Sequence, residues 1–326
     1  MNIVFAGFRH PHIENLYKEA LTKANVVGCV EKDKKTIEDY SERVGVNFSK
    51  RSFQSFLEDN SIDAVAIGDY YGKRGQLVIE ALKAGKNVIC DKPICISKRE
   101  IEEIESILNG SSLVLSCMLD LRYLKITNLA RELLLSGELG EIRNIVFTGQ
   151  HCLNYGIRPS WYFEEGKHGG TINDLGIHGV DLIRYVSNLE FDQIYCVRQW
   201  NSFATEVKNF KDCAMFIAGM ENGAGVLADV SYSAPKGDWM KLPSYWNFDF
   251  WCEKGLLKLN VASDSLILYE NGFHEGKILS SKEGMMISVL DDFINRINNK
   301  QGLLTNEDVV LSSKTALRLQ NYGSIL

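Results

Sequence analysis

The feature that most limits the fold is an alternation over the first 117 residues. Short apolar runs take turns with stretches whose apolar residues recur at helical spacing. Asn2–Ala6 (closed by Gly7), Val26–Val30 (ending at Glu31), Ala64–Ile67, Val88–Cys90 and Leu113–Cys117 read as buried strands. Ile13, Leu16, Tyr17, Ala20 and Leu21 mark a helix, as do Ile37, Tyr40 and Val44, and Leu77, Val78, Ala81 and Leu82. Ser97 with Glu100 forms a capping box for a further helix over 98–108. Strands and helices alternating at this spacing build a doubly wound parallel sheet with right-handed crossovers. Ligands of such sheets bind at the carboxyl ends of the strands.

From about Leu121 the pattern changes. A helix over 124–135 is followed by strand-like runs near 143–151, 194–200, 214–220, 225–231, 247–252, 256–259 and 266–269. Turns such as Glu221-Asn222-Gly223 join them. This predicts a large, open, mostly antiparallel sheet with helices on one face. Two helical patterns close the chain. The expected class is α/β: residues 1–120 form the parallel-sheet domain and 121–326 an α+β domain, with the last helix packing back on the first.

The formal net charge is −6, with no Lys/Arg run, which argues against nucleic acid as a partner. No apolar run reaches membrane-spanning length, so no membrane association is expected. The N-terminus enters a strand without a signal-peptide pattern. The eight cysteines are scattered and form no C-x-x-C pair, which suits reduced thiols in a cytoplasmic protein. No metal is expected at the site.

The first strand-to-helix turn, Gly7-Phe8-Arg9-His10-Pro11-His12, keeps one of the three fingerprint glycines of a dinucleotide loop. It still leads a helix N-terminus toward a pyrophosphate. Gly7, Phe8, Arg9, His10 and His12 are therefore candidate cofactor contacts. Glu31, about 24 residues after Gly7, stands where an acidic residue bonds the adenosine ribose of NAD. It disfavours the 2′-phosphate of NADP, so NAD is preferred and NADP is the second choice. Lys92, in Asp91-Lys92-Pro93, follows a strand's carboxyl end and can hold a substrate oxygen. Pro93 is a candidate cis-proline. A helix from about Thr171 would place Asp174, His178 and Asp181 on one face. A carboxylate one turn from an imidazole equips His178 as a general base. Each residue also has a plainer reading, as a solvated loop or helix face.

Taken together, these segments resemble the glucose–fructose oxidoreductase/inositol dehydrogenase (Gfo/Idh/MocA) family. Ala81–Pro93 looks like its ALxAGKHVxxEKP run, Gly137–Ile142 like its GxLGxI, and Gly169–Asp181 like its GGxxxDxGxHxxD. The resemblance implies an N-terminal Rossmann domain and a C-terminal open-sheet domain. It also implies NAD(P)-dependent redox chemistry on sugars or polyols, in homo-oligomers packed through that sheet. By residue matching, Lys92, Asp174 and His178 take the active-site places, and Arg122 resembles the family's RF arginine. Where the family often has an Ala-Thr-Pro-Asn-x-x-His-like stretch, this chain has Gly68-Asp69-Tyr70-Tyr71-Gly72-Lys73-Arg74. Asp69 and Tyr70 are thus candidate cofactor contacts. Trp161 and His168 join Lys92, Arg122, Asp174 and His178 as candidate substrate contacts.

The expected function is hydride transfer between NAD and a sugar, polyol or derivative, in a homodimer or homotetramer. Lys92, Asp174 and His178 are expected to converge on one substrate oxygen. Two alternatives are a redox-type glycosidase that retains its NAD, and a non-catalytic nucleotide sensor or scaffold.

Overall fold

The computed structural model describes residues 1–263, 265–272, 274–281 and 284–322. The chain divides into two compact units. The first comprises Met1–Met118, Gly166–Gly169 and Ile287–Lys314. The second comprises Leu119–Glu165, Gly170–Met286 and Thr315–Leu326.

The first unit is built from β1 (Asn2–Ala6), α1 (His12–Lys23), β2 (Asn25–Val30), α2 (Lys34–Arg43), α3 (Phe53–Leu57), β3 (Ala64–Ile67), α4 (Tyr71–Lys83), β4 (Asn87–Cys90), α5 (Lys98–Leu108) and β5 (Leu115–Cys117). The five strands pair in parallel in the order β2-β1-β3-β4-β5. β1 lies between β2 and β3, so the strand order reverses there and the turns after β1 and β3 diverge. β3 is buried at every residue, as a strand with both faces covered must be. Helix starts follow local chemistry. The side chains of Asp33, Ser52 and Ser97 accept from Thr36, Ser55 and Glu100 backbone N–H groups. Glu100 reaches back to the Ile96 N–H at 3.3 Å, completing the predicted box one residue early.

The second unit contains α6 (Lys125–Leu135), β6 (Ile142–Gln150), α7 (Ile177–Ser187), β7 (Phe191–Trp200), β8 (Cys213–Met220), β9 (Gly225–Ser231), β10 (Asn247–Cys252), β11 (Gly255–Asn260), β12 (Ser265–Glu270) and β13 (Lys277–Ser280). Its sheet runs β13-β12-β11-β10-β6-β9-β8-β7, antiparallel except for β6 with β9. The core lies on one face, where α6 and α7 bring Ile126, Ala130, Val180 and Ile183 against Phe147, Phe216, Phe248 and Leu257. The other face leaves Met215, Ile217, Leu227 and Trp251 exposed. Chain-terminal α8 (Val289–Ile297) belongs to the first unit. α9 (Asn306–Tyr322) contributes residues to the first unit up to Lys314 and to the second from Thr315.

Three elements differ from the sequence reading. α3 is only five residues long, too short to leave a periodic pattern. β13 is an exposed edge strand without an apolar run. The helix expected from Thr171 starts as a π turn over Ile172–Gly176 and becomes α-helical only at Ile177.

Gly179 shows how tightly the second core is closed. A Cβ there would stand 2.2 Å from the Phe147 ring, which is held between Phe216 and Phe248 at centroid distances of 5.7 and 5.4 Å. Gly179→Ala is expected to destabilise by about 1–3 kcal/mol through overpacking, although Ala is the better helix former by about 1 kcal/mol. Urea unfolding checks this; a variant as stable as the wild type would contradict the packing argument.

Candidate functional site

In the first unit, the ends of β1, β2, β3 and β4 carry the candidate residues. Gly7 has φ +80°, and a Cβ on it would meet the Asp69 Cβ at 2.5 Å. Only glycine allows the β1 turn to pass so close to the end of β3. Glu31 is already tied into this turn. Its Oε2 accepts from the Phe8 N–H at 2.7 Å, and its Oε1 from the N–H groups of Lys32 and Asp33 at 2.7 and 2.9 Å. A carboxylate has about four acceptor positions, so one on Oε2 is left for a ribose hydroxyl. Arg9, in the place of the second fingerprint glycine, turns to Asp33 at 3.6 Å and lies 5.8 Å from the Tyr70 ring centroid. Its side chain is thus drawn sideways along the crevice. Tyr70 is also approached by the Lys167 ammonium at 5.2 Å. These residues fit a dinucleotide: a glycine turn, a helix start and a ribose-facing carboxylate.

Beside this turn a buried guanidinium organises the ends of β3 and β4. Arg74 donates from Nε to the Asp69 carbonyl at 2.7 Å and from Nη1 to the Lys92 and Pro93 carbonyls at 2.5 and 3.3 Å. Its Nη2 meets Asp91 Oδ2 at 2.8 Å. Arg74 and Asp91 are both 0% exposed. Arg74, His10 and His12 hold the Asp91 carboxyl well below its ordinary value against the opposing effect of burial. Lys92 follows with only 4% exposure, and the Lys92–Pro93 peptide is cis, as expected. His10 is buried, with Nδ1 2.5 Å from Asp91 and Nε2 3.2 Å from the Tyr71 hydroxyl. Burial pushes its pKa down to about 3, so its imidazole is neutral at physiological pH. His168 is buried with its ring 5.4 Å from that of Tyr71.

In the second unit the π turn carries Asp174, whose carboxylate accepts from the Tyr232 hydroxyl. Burial and the neighbouring Asp174 charge raise the Tyr232 pKa well above normal, so that phenol stays a donor. His178 opens the first turn of α7, with Nδ1 3.9 Å from Asp120 and its ring 5.6 Å from Trp246. Asp181, the third residue of the predicted face, is taken by Arg122 in a two-pronged pair of 3.1 and 2.6 Å. Arg122 also stacks on Tyr185 at 4.8 Å. Trp161 is buried and stacks on Tyr162. Arg158 lies over both Tyr162 and Tyr232. Sequence reasoning missed Arg158, which no motif marks. It also missed Arg74, whose signal was its place at the end of the altered Gly68–Arg74 stretch.

Asp69 gives this region a pH dependence. Partial burial, with the Glu31 charge nearby, raises its pKa from 3.8 to about 6. A carboxyl raised on folding adds stability below its unfolded value, and that stability is lost as pH rises through the folded one. Asp69→Asn is therefore expected to be more thermally stable than wild type at pH 7–8, with the gain shrinking as pH falls through about 6 and largely gone by about pH 4. Thermal unfolding across that range tests it; a gain unchanged at pH 4 would contradict the assignment.

Comparison with known proteins agrees with this fold. Residues 1–118 match the Gfo/Idh/MocA oxidoreductase family with an NAD-binding Rossmann fold, and residues 127–258 match the Gfo/Idh/MocA C-terminal domain. The chain is 26% identical to levoglucosan dehydrogenase of Pseudarthrobacter phenanthrenivorans over 48% of this chain and 40% of that one. It is 23% identical to myo-inositol 2-dehydrogenase of Thermotoga maritima over 56% and 53%. The chain thus spans about half the length of these curated relatives. Among solved structures, a putative oxidoreductase from Thermotoga maritima superposes with a TM-score of 0.83 at 21% identity, covering 98% of this chain and 97% of that one. Levoglucosan dehydrogenase in complex with NADH gives 0.80 at 17% identity, covering 99% and 97%, a likeness of fold. The chain belongs to the Gfo/Idh/MocA family of oxidoreductases, with the family's NAD-binding Rossmann fold at its N-terminal end.

Proposed function

We propose that this protein is an NAD-dependent oxidoreductase that moves a hydride between the cofactor and a CH–OH group of a sugar, polyol or sugar derivative. The observation that carries the reading is Lys92, a lysine 4% exposed at the carboxyl end of a parallel strand, in a chain whose family binds NAD. Lysine is rarely this buried without a task. Relatives named for levoglucosan, myo-inositol and 1,5-anhydro-D-fructose support the substrate class.

In this reading NAD, when bound, supplies the hydride acceptor. Gly7, Phe8, Arg9 and the α1 N-terminus hold the pyrophosphate, Glu31 the ribose, and Asp69 and Tyr70 the nicotinamide side. His10 and His12 complete the turn. The Glu31 and Asp33 carboxylates disfavour a 2′-phosphate, which supports NAD over NADP. His178 removes the hydroxyl proton as general base. The Lys92 ammonium stabilises negative charge that develops on a substrate oxygen. Asp174, held by Tyr232, orients the substrate. Trp161, His168 and Arg122 shape its surroundings, Arg122 through its pair with Asp181. A panel of sugars and polyols screened for NADH formation tests the reading. Once a substrate is found, Lys92→Met and His178→Ala are each expected to lower turnover by about 10²–10⁴-fold with folding intact. Near-normal rates in both would refute the roles.

The exposed sheet face supports a homodimer or homotetramer. Ile217 pairs directly with Leu227, Leu227 with Val146, and Trp251 lies two strands away. Leu227 is 50% exposed. A contiguous apolar face of this kind is an association surface. Light scattering is expected to give a dimer or larger, and Leu227→Lys to shift it toward monomer. A wild-type monomer at micromolar concentration would contradict this. Eight cysteines present as thiols, with no disulfide, support a cytoplasmic location.

A further inference from the structure

We infer that His10, His12 and Asp91 form a binding site for a divalent first-row transition-metal ion of the zinc class. One ligand atom from each lies within 4.8 Å of the others. His10 Nδ1 is 2.5 Å from Asp91 Oδ2, and His12 Nδ1 is 3.3 Å from Oδ1. The two imidazole rings sit edge to face with centroids 4.4 Å apart, so both present Nδ1 to one carboxylate. Zinc bonds of about 2.0–2.2 Å place tetrahedral ligands about 3.3 Å apart. His12 already stands at that distance from Asp91, and closing the set requires the His10–Asp91 contact to open by about 0.8 Å. His12 begins α1, and its side chain is 46% exposed, so a coordination position of the bound ion is open to water.

The surroundings are those of a metal site. A ligating imidazole usually donates its other ring N–H to a fixed partner. With an ion on Nδ1, the His10 proton moves to Nε2, 3.2 Å from the Tyr71 hydroxyl, which then accepts it. Asp91 is oriented in turn by Arg74 on Oδ2 and by the Lys92 N–H, 2.8 Å from Oδ1. The Arg74 charge opposes the ion. The two imidazoles therefore supply most of the binding, which selects Zn²⁺, Co²⁺ or Ni²⁺ over Mg²⁺ or Ca²⁺, ions that need several oxygen ligands. Nothing in the dehydrogenase chemistry above uses this trio as a unit.

The test is to titrate the chelator-treated full-length protein with Co²⁺ and read its visible absorption. Wild type is expected to bind one Co²⁺ with intense low-coordinate bands that Zn²⁺ abolishes. His12→Ala, which removes an exposed side chain, should weaken Co²⁺ binding by more than about tenfold. Tyr71→Phe, which removes the partner of His10, should weaken it by about 10–100-fold. His274→Ala, at an exposed histidine elsewhere, should leave it unchanged. Two results would overturn the inference: a wild-type spectrum like that of hydrated Co²⁺, or equal effects of His12→Ala and His274→Ala.

Discussion

The Arg74–Asp91 pair is the interaction on which the first unit's crevice depends. Both groups are fully buried, and taking two charges out of water costs several kcal/mol per ion before attraction repays it. Such a pair is a poor source of net stability. It is a good source of position. A planar guanidinium with donors in a fixed fork can serve several acceptors at once. Here it holds the Asp69, Lys92 and Pro93 carbonyls together with the Asp91 carboxylate. The turns after β3 and β4 are thereby cross-linked through one side chain of α4. The buried Lys92 inherits its place from that cross-link, and His10 and His12 are held by the same carboxylate.

The second unit solves a similar problem with different residues. Its polar groups lie beside a core of stacked aromatics, where an unpaired charge is expensive. Asp181 is neutralised by Arg122, and Asp174 is held by the Tyr232 hydroxyl. The π turn matters here. It adds a residue to the helical turn just ahead of His178, so Asp174 and His178 are not set by regular α spacing. Insertions of this kind recur at functional sites in helices.

The layered architecture was legible because it rests on burial. A strand covered on both faces must be apolar, and β3 is so throughout, β1 and β4 after their leading Asn2 and Asn87. The antiparallel sheet was legible from its alternation and its Asn-Gly turns. What was not legible depends on partners distant in the chain. Asp181 looked like part of an active face, yet it pairs with Arg122, 59 residues away. Tyr232 reaches Asp174 across 58 residues. His10 and Asp91 meet across the sheet, so in the sequence the two histidines of the first turn read as cofactor contacts and not as partners of one carboxylate. The π turn left no trace in periodicity, since Ile172, Leu175 and Gly176 suit an ordinary helix.

The proposed function requires dinucleotide binding by a turn that keeps one of the three fingerprint glycines. The most direct measurement is calorimetric titration of the intact protein with NADH and NADPH at one ionic strength, for wild type and for Glu31→Gln. The account predicts that NADH binds with one site per chain, that NADPH binds more weakly, and that Glu31→Gln narrows the difference. No heat of binding with NADH, or tighter binding of NADPH to the wild type, would contradict it.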